Sequence, residues 1–366
     1  MSNTLYVGGN FEYAEGIRVN GTAIWDGTNW DSVGTGYKDC NVTCGNQAMT
    51  MYQGALYVSM PSIGIFSGGI AKWNGVTWDS LGLGVFGNVM DMTVYSDTLY
   101  VVGMFTNAGG LPAYDIAKWS GINWSNDFKH PFTSNLIGIT SIEVFQNNIY
   151  VGGLFNDSTG TLRNIAMWSG NNWLPLGTGI ISGSLEPAVN SIVSYNDTIY
   201  VAGRFNKQEG NVGNNIMGWD GTNWFDLNNG TDGAINEMIV IEDNLYVVGS
   251  FSNAGGIPAQ NIAKWDGAEW CGFGSSFDNE LSTIADHNDT IYIGGHFTEI
   301  DGNSVSRIAR WTGGDFTDSC GVYVGADESS LLPATKISIY PNPTTGLITV
   351  AGLPQEATKI SVYNIL

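Results

Sequence analysis

Seven times along the chain an apolar run ending in glycine, LYVGG or a near variant, is followed after a loop by a tryptophan, a tight turn and a second aromatic residue. The first half of this unit falls at Tyr6, Tyr57, Tyr100, Tyr150, Tyr200, Tyr246 and Tyr292, so successive tyrosines stand 51, 43, 50, 50, 46 and 46 residues apart. The second half falls at Trp25/Trp30, Trp73/Trp78, Trp119/Trp124, Trp168/Trp173, Trp219/Trp224, Trp265/Trp270 and Trp311/Phe316. In the fifth unit, residues 188–195 read as strand a, and Asn196-Asp197 turns the chain into strand b at 198–205. Strand c ends at Trp219, and Asp220-Gly221 turns into strand d around Trp224. Asn-Asp and Asp-Gly suit tight hairpins because they tolerate positive φ. The strands are almost continuously apolar rather than alternating, as expected of sheets covered on both faces.

A period of about 40–50 residues built only from short strands is that of a propeller blade. The expected fold class is therefore all-β: a seven-bladed β-propeller of four-stranded antiparallel blades over residues 1–326, a linker at 327–335 and a partial β-sandwich tail at 336–366. Only five residues precede Tyr6, too few for a strand a in the first blade, and Gly321–Gly325 (GVYVG) has the apolar character to close the ring in its place.

Thirteen basic residues face 34 acidic ones, a net charge of -21. Such a field repels nucleic acid and anionic lipid, so neither is an expected partner. No apolar stretch approaches the ~20 residues of a membrane-spanning helix. Cys40, Cys44, Cys271 and Cys320 form no CxxC pair and read as disulfide candidates rather than zinc ligands, with their pairing left open. No metal or cofactor is expected, and the chain reads as a monomer.

The IYVGG at 149–153, IYIGG at 291–295 and WDGTNW at 219–224 resemble the kelch-type propeller repeat, with Trp where kelch blades usually carry Tyr. The resemblance implies architecture and no single activity, because such propellers serve as enzymes, adhesins and binding platforms. The tail, YPNP at 340–343 followed by TTG and ISVYN at 360–364, resembles the C-terminal sorting domain of the type IX secretion system of Bacteroidota. That resemblance implies export to the medium or the outer-membrane surface through the secretion machinery, with the chain stopping about halfway through such a module.

A repeat supplies its own control: what recurs in each blade is architectural, and departures are where function is grafted. The 13 tryptophans recur at fixed positions and so read as packing, leaving sugar stacking to any that prove exposed. The d–a connections after blades 1, 3 and 4 are longer than the others, at 34–48, 125–137 and 177–190. They carry Tyr37, Lys38, Asp39, Lys129, His130, Phe132 and Glu186, and strand b of blade 5 adds Arg204 on the same side. Tyr37, Asp39, Lys129, His130, Phe132, Glu186 and Arg204 are the candidate ligand-binding residues, since loops on a rigid scaffold commonly hold binding groups.

Enzyme templates fit less well. His130, His287 and His296 do not form a recognisable ligand set, no GxSxG elbow is present, and the carboxylates Glu186, Glu209, Glu299 and Asp301 have no sequence-defined separation. The expected function is a secreted or surface-exposed, non-catalytic module that binds glycan or a surface protein. The alternatives are a polysaccharide lyase or hydrolase using the same face, and a structural spacer of a larger surface protein.

Overall fold

A computed structural model describes residues 4–311, apart from 10, 12, 35–47, 61–68, 129–131, 133–137, 184–187, 288–289 and 306. The closing segment 321–325, the linker and the tail thus lie outside the described residues. The chain is an all-β, seven-bladed propeller, and its contacts divide it into two compact units, Met1–Ser194 and Tyr195–Leu366.

In the first unit, blade 2 is the antiparallel sheet Met49–Tyr52, Ala55–Ser59, Ile70–Trp73, Trp78–Ser80, paired in that order. Blades 3 and 4 repeat it with Val85–Tyr95, Thr98–Ala108, Ile116–Trp119, Trp124–Ser125 and with Ile139–Phe145, Asn148–Asn156, Arg163–Trp168, Trp173–Leu174. Blade 5 is Val189–Tyr195, Thr198–Gly203, Ile216–Trp219, Trp224–Asp226, and blade 6 in the second unit has the same order. Blades 1 and 7 show three strands each among the described residues.

The turns follow the residue chemistry, with one refinement. In the a–b hairpins both turn residues take positive φ, as at Asn196 (46°) and Asp197 (57°) or Glu242 (45°) and Asp243 (59°). In the c–d hairpins only the glycine does, as at Gly27 (100°) and Gly221 (95°). The residue before it works through its side chain: Asp26 Oδ1 accepts from the Thr28 and Asn29 amides at 2.7 Å, and Asp220 Oδ1 from Thr222 and Asn223 at 2.8 and 2.7 Å. Those amide bonds, led by that of Asn29, hold the Asp26 carboxyl down at about 2.

Each sheet is apolar on both faces and needs a neighbour, and three recurring polar contacts fix how neighbours meet. In the outer strands, the Trp78 indole donates to Val33 O (3.0 Å), Trp124 to Leu81 O (2.7 Å) and Trp270 to Leu227 O (2.7 Å), each reaching one blade back. At the end of strand a, a tyrosine reaches one blade forward to the a–b turn. Tyr52 donates to Asp97 O at 2.9 Å, Tyr95 to Asn147 Oδ1 at 2.8 Å, and Tyr195 to Asp243 O.

The third contact uses a β-bulge in strand a, where the register shifts at Val89/Asp91, Ile139/Ser141 and Ile235/Glu237. A bulge re-aims the side chain that follows it. Asp91 Oδ2 accepts from the Ile142 amide at 2.9 Å, Ser141 Oγ from Ile192 at 3.0 Å, and Glu237 Oε2 from Ile284 at 2.9 Å. Next to this row, Glu143 Oε1 accepts from the Ser194 amide (3.1 Å) and hydroxyl (2.6 Å).

Two expected outcomes follow from these contacts. Trp270→Phe removes the indole donor, leaves Leu227 O with the Gly230 amide as its partner and shrinks a buried ring, which lowers stability by about 1–3 kcal/mol in denaturant titration. Burial pushes the Glu237 carboxyl above its ordinary range. The folded state then holds its proton more tightly than the unfolded chain, so this group's contribution falls as pH rises from about 4.5 through the raised pKa. Glu237→Gln keeps an acceptor for Ile284; its melting temperature should exceed the parent's at neutral pH, and the gain should vanish below pH 4.5.

Candidate functional site

Strand c of each blade is entered through one residue with left-handed backbone, and this residue organises the end of the blade that carries the b–c loop and the d–a connection. It is Gly21, Gly69, Asp115, Asn164, Asn215, Asn261 and Arg307 in blades 1 to 7, with φ of 88°, 62°, 64°, 59°, 58°, 65° and 59°. Where it is asparagine, the amide side chain joins the two loops. Asn215 Oδ1 accepts from the Phe205 amide at 3.3 Å while its Nδ2 donates to Thr231 O at 2.9 Å. Asn164 joins Phe155 to Ile180, and Asn261 joins Phe251 to Asn279, in the same way. Asparagine suits the position because it tolerates φ > 0 and carries both a donor and an acceptor.

A second staple is a carboxylate on the d–a connection. Asp232 accepts from the Ser252 and Asn253 amides at 2.8 and 2.9 Å and from the Asn253 side chain at 2.7 Å. Asp278 does the same for Thr298 and Glu299. These bonds hold both carboxyls below the ordinary range against the opposing effect of burial. The loops at this end are thereby a preformed surface rather than loose connections.

Of the seven candidate ligand residues, Tyr37, Asp39, Lys129, His130 and Glu186 lie outside the described residues, and so do Cys40, Cys44 and Cys320. Cys271 is buried and disulfide-bonded. Arg204 is exposed at the end of strand b in blade 5. Phe132 is placed otherwise than expected of a ligand residue. It is 5% exposed and packs on Phe155 (ring centroids 4.3 Å apart) and Trp173 (5.1 Å). Phe128, from the same insertion, sits among Tyr100, Trp168 and Trp173. The insertion at 125–137 therefore supplies core to blades 3 and 4, because two of its aromatic side chains gain more from burial than from water.

Two of the carboxylates considered for catalysis, Glu209 and Asp301, hold structural bonds, and Glu186 lies outside the described residues. Glu209 closes a capping box with Asn206 on the short 3₁₀ turn Lys207–Glu209. Asp301 Oδ1 accepts from Ser276 N and Oγ at 2.8 and 3.1 Å. His296 Nδ1 lies 3.1 Å from Glu280 Oε1, while His287 packs against Tyr292. No group of three or more His, Cys, Asp or Glu suited to a metal ion occurs among the described residues. All 13 tryptophans are described, and each is buried or half-buried. Their recurrence is architectural, and a sugar-stacking tryptophan platform is not present.

What the sequence reading missed is an apolar tip on blade 3. Leu83, Phe86, Met104, Leu111 and Tyr114 are 76%, 70%, 44%, 50% and 47% exposed. The ladder sets Phe86 opposite Asn107 and Asn88 opposite Met104, two rungs apart, and Asn107 pairs in turn with Pro112 beside Leu111. Leu83 closes the other side: a Cβ on Gly110 would stand 3.0 Å from its Cδ1. Scattered exposed leucines are ordinary, but five large side chains grouped on a tip held by the Gly109–Gly84 and Trp124–Leu81 bonds make a candidate interaction site.

No family model matches the chain, and no curated protein matches it either. Among solved structures it is similar to the computationally designed Ika8 protein, with 10% sequence identity, a TM-score of 0.50, and coverage of 100% of this chain and 94% of that one. At that identity the likeness is one of fold.

The staple makes a direct prediction. Asn215→Ala loses both bonds and places a Cβ-bearing residue with no compensating side chain at φ 58°, which should cost about 2–4 kcal/mol in chemical denaturation. Asn215→Gly, which keeps the backbone conformation, should lose less.

Proposed function

We propose that the chain is a non-catalytic binding module, secreted or held at the outer-membrane surface, whose ligand is a surface protein engaged by the end of the blades bearing the b–c loops and d–a connections. The observation that carries this reading is the blade 3 tip, where five large side chains of apolar or aromatic character stand exposed. A protein ligand is favoured over a glycan because no tryptophan is exposed and the exposed group is mainly aliphatic and thioether. Tyr37, Asp39, Lys129, His130, Glu186 and Arg204, singled out from the sequence, are the polar residues this reading assigns to ligand contact. The kelch-like repeat gives the scaffold, and the tail at 336–366, through its resemblance to a type IX sorting domain, gives the address.

The test uses the full chain, immobilised and probed against an array of bacterial surface proteins and against a glycan array. Retention of a protein ligand without turnover is expected, and Lys129→Ala with His130→Ala should weaken it about tenfold while leaving the melting temperature nearly unchanged. Chemical conversion of the retained ligand, or unchanged affinity in the double variant, would overturn the reading of this end as a passive binding face.

A further inference from the structure

Blades 3 and 6 form an internal control for the apolar tip. Their units stand 146 residues apart throughout, from Tyr100 to Tyr246 and from Trp119 to Trp265, and share the loop NAGG-x-PA at 107–113 and 253–259. The same bonds recur at the same spacing. Gly109 N donates to Gly84 O at 2.7 Å and Gly255 N to Gly230 O at 2.7 Å; the Trp124 and Trp270 indoles donate to Leu81 O and Leu227 O. Blade 6 therefore shows what this loop needs in order to fold.

Against that control, four of the positions at which blade 3 differs are exposed and change in one direction. Leu83 stands where blade 6 has Asn229, Phe86 where it has Asp232, Met104 where it has Ser250, and Tyr114 where it has Gln260. Each of these four replaces a polar side chain with a large one of apolar or aromatic character, and all four are exposed. The change at Phe86 gives up a structural contact: Asp232 caps the Ser252 and Asn253 amides, and a phenyl ring cannot do so for Thr106 and Asn107. Exposed apolar area and a lost carboxylate staple both oppose folding, and neither is needed by a loop of this shape.

We infer that the blade 3 tip is a docking surface for a protein segment that presents apolar side chains within a basic surround. This rests on the binding-module reading above and names its site and partner chemistry. The basic character follows from charge. The chain carries -21 overall. At the tip, Asp115 adjoins Tyr114, while Lys118 on the next strand is already paired with Asp127 at 3.0 Å. A second copy of the chain, equally acidic, is repelled. An apolar centre with complementary charge at its rim is the composition of a specific protein interface.

The experiment selects a displayed random dodecapeptide library on the full chain, with subtraction on a variant carrying blade 6 residues: Leu83→Asn, Phe86→Asp, Met104→Ser and Tyr114→Gln. Enriched peptides should combine apolar residues with Lys or Arg. As synthetic peptides they should bind the variant at least about tenfold more weakly and lose affinity as salt rises. Phe86→Asp alone should show most of this loss while holding or raising the melting temperature, because it restores the carboxylate staple. If the fourfold variant fails to fold, Met104→Ser with Tyr114→Gln gives the same reading.

Peptides that bind parent and variants alike, peptides rich in Asp or Glu, or no enrichment over the variant would overturn the proposal. So would tip-dependent binding of neutral phosphatidylcholine vesicles or of an arrayed glycan. Peptides that depend on Lys129 and His130 but not on the tip would overturn this proposal alone and leave the binding-module reading standing. A chain that retains nothing in either experiment would defeat both.

Discussion

A short sheet that is apolar on both faces cannot stand in water, and the fold of this chain depends on how each such sheet is fastened to the next. Burial alone is non-directional and would let neighbouring blades slide. The fastening is supplied by polar side chains that cross from blade to blade at three radial positions: the indole of the second tryptophan, the tyrosine that ends strand a, and the side chain after the strand-a bulge. Each meets a polar group of the neighbouring blade, and such a hydrogen bond contributes about 0.5–1.5 kcal/mol. Direction thus comes from hydrogen bonds and cohesion from the apolar faces.

The inner row shows how tolerant this device is. Asp91, Ser141 and Glu237 occupy one repeat position and all accept an amide from the following blade, although they differ in length and charge. The bulge makes this possible by turning the side chain toward the neighbour, and bond length adjusts through rotamer choice. Burial raises the Glu237 and Glu143 carboxyls, so folding disfavours their charged forms.

The same division between fixed frame and free position accounts for the candidate site. Asn164, Asn215 and Asn261 tie loop to loop where strand c begins, and Asp232 and Asp278 tie the b–c loop to the d–a connection. A loop held at both ends presents its tip without the entropy loss of ordering it on binding. Blade 3 retains the frame, including the Gly109–Gly84 bond, while changing four exposed positions. The Gly109–Gly84 and Trp124–Leu81 bonds hold that loop although Phe86 gives up the carboxylate staple.

The sequence by itself determined the number of blades, the order of strands and the a–b and c–d turns, because period, glycine placement and turn residues are local properties that need no partner to be read. It also identified the tryptophans as packing through their recurrence. Tertiary structure alone decided the strand-a bulges, the inter-blade bonds of Asp91, Ser141 and Glu237, and the fate of Phe132, which lies in an insertion but is buried against Phe155 and Trp173. Phe86 shows the same limit from the other side: one phenylalanine among fifteen in the sequence, it is 70% exposed where blade 6 carries a stapling aspartate. Hydrophobicity is a property of a residue, whereas burial belongs to the space its neighbours leave, and that space exists only once the blades have packed.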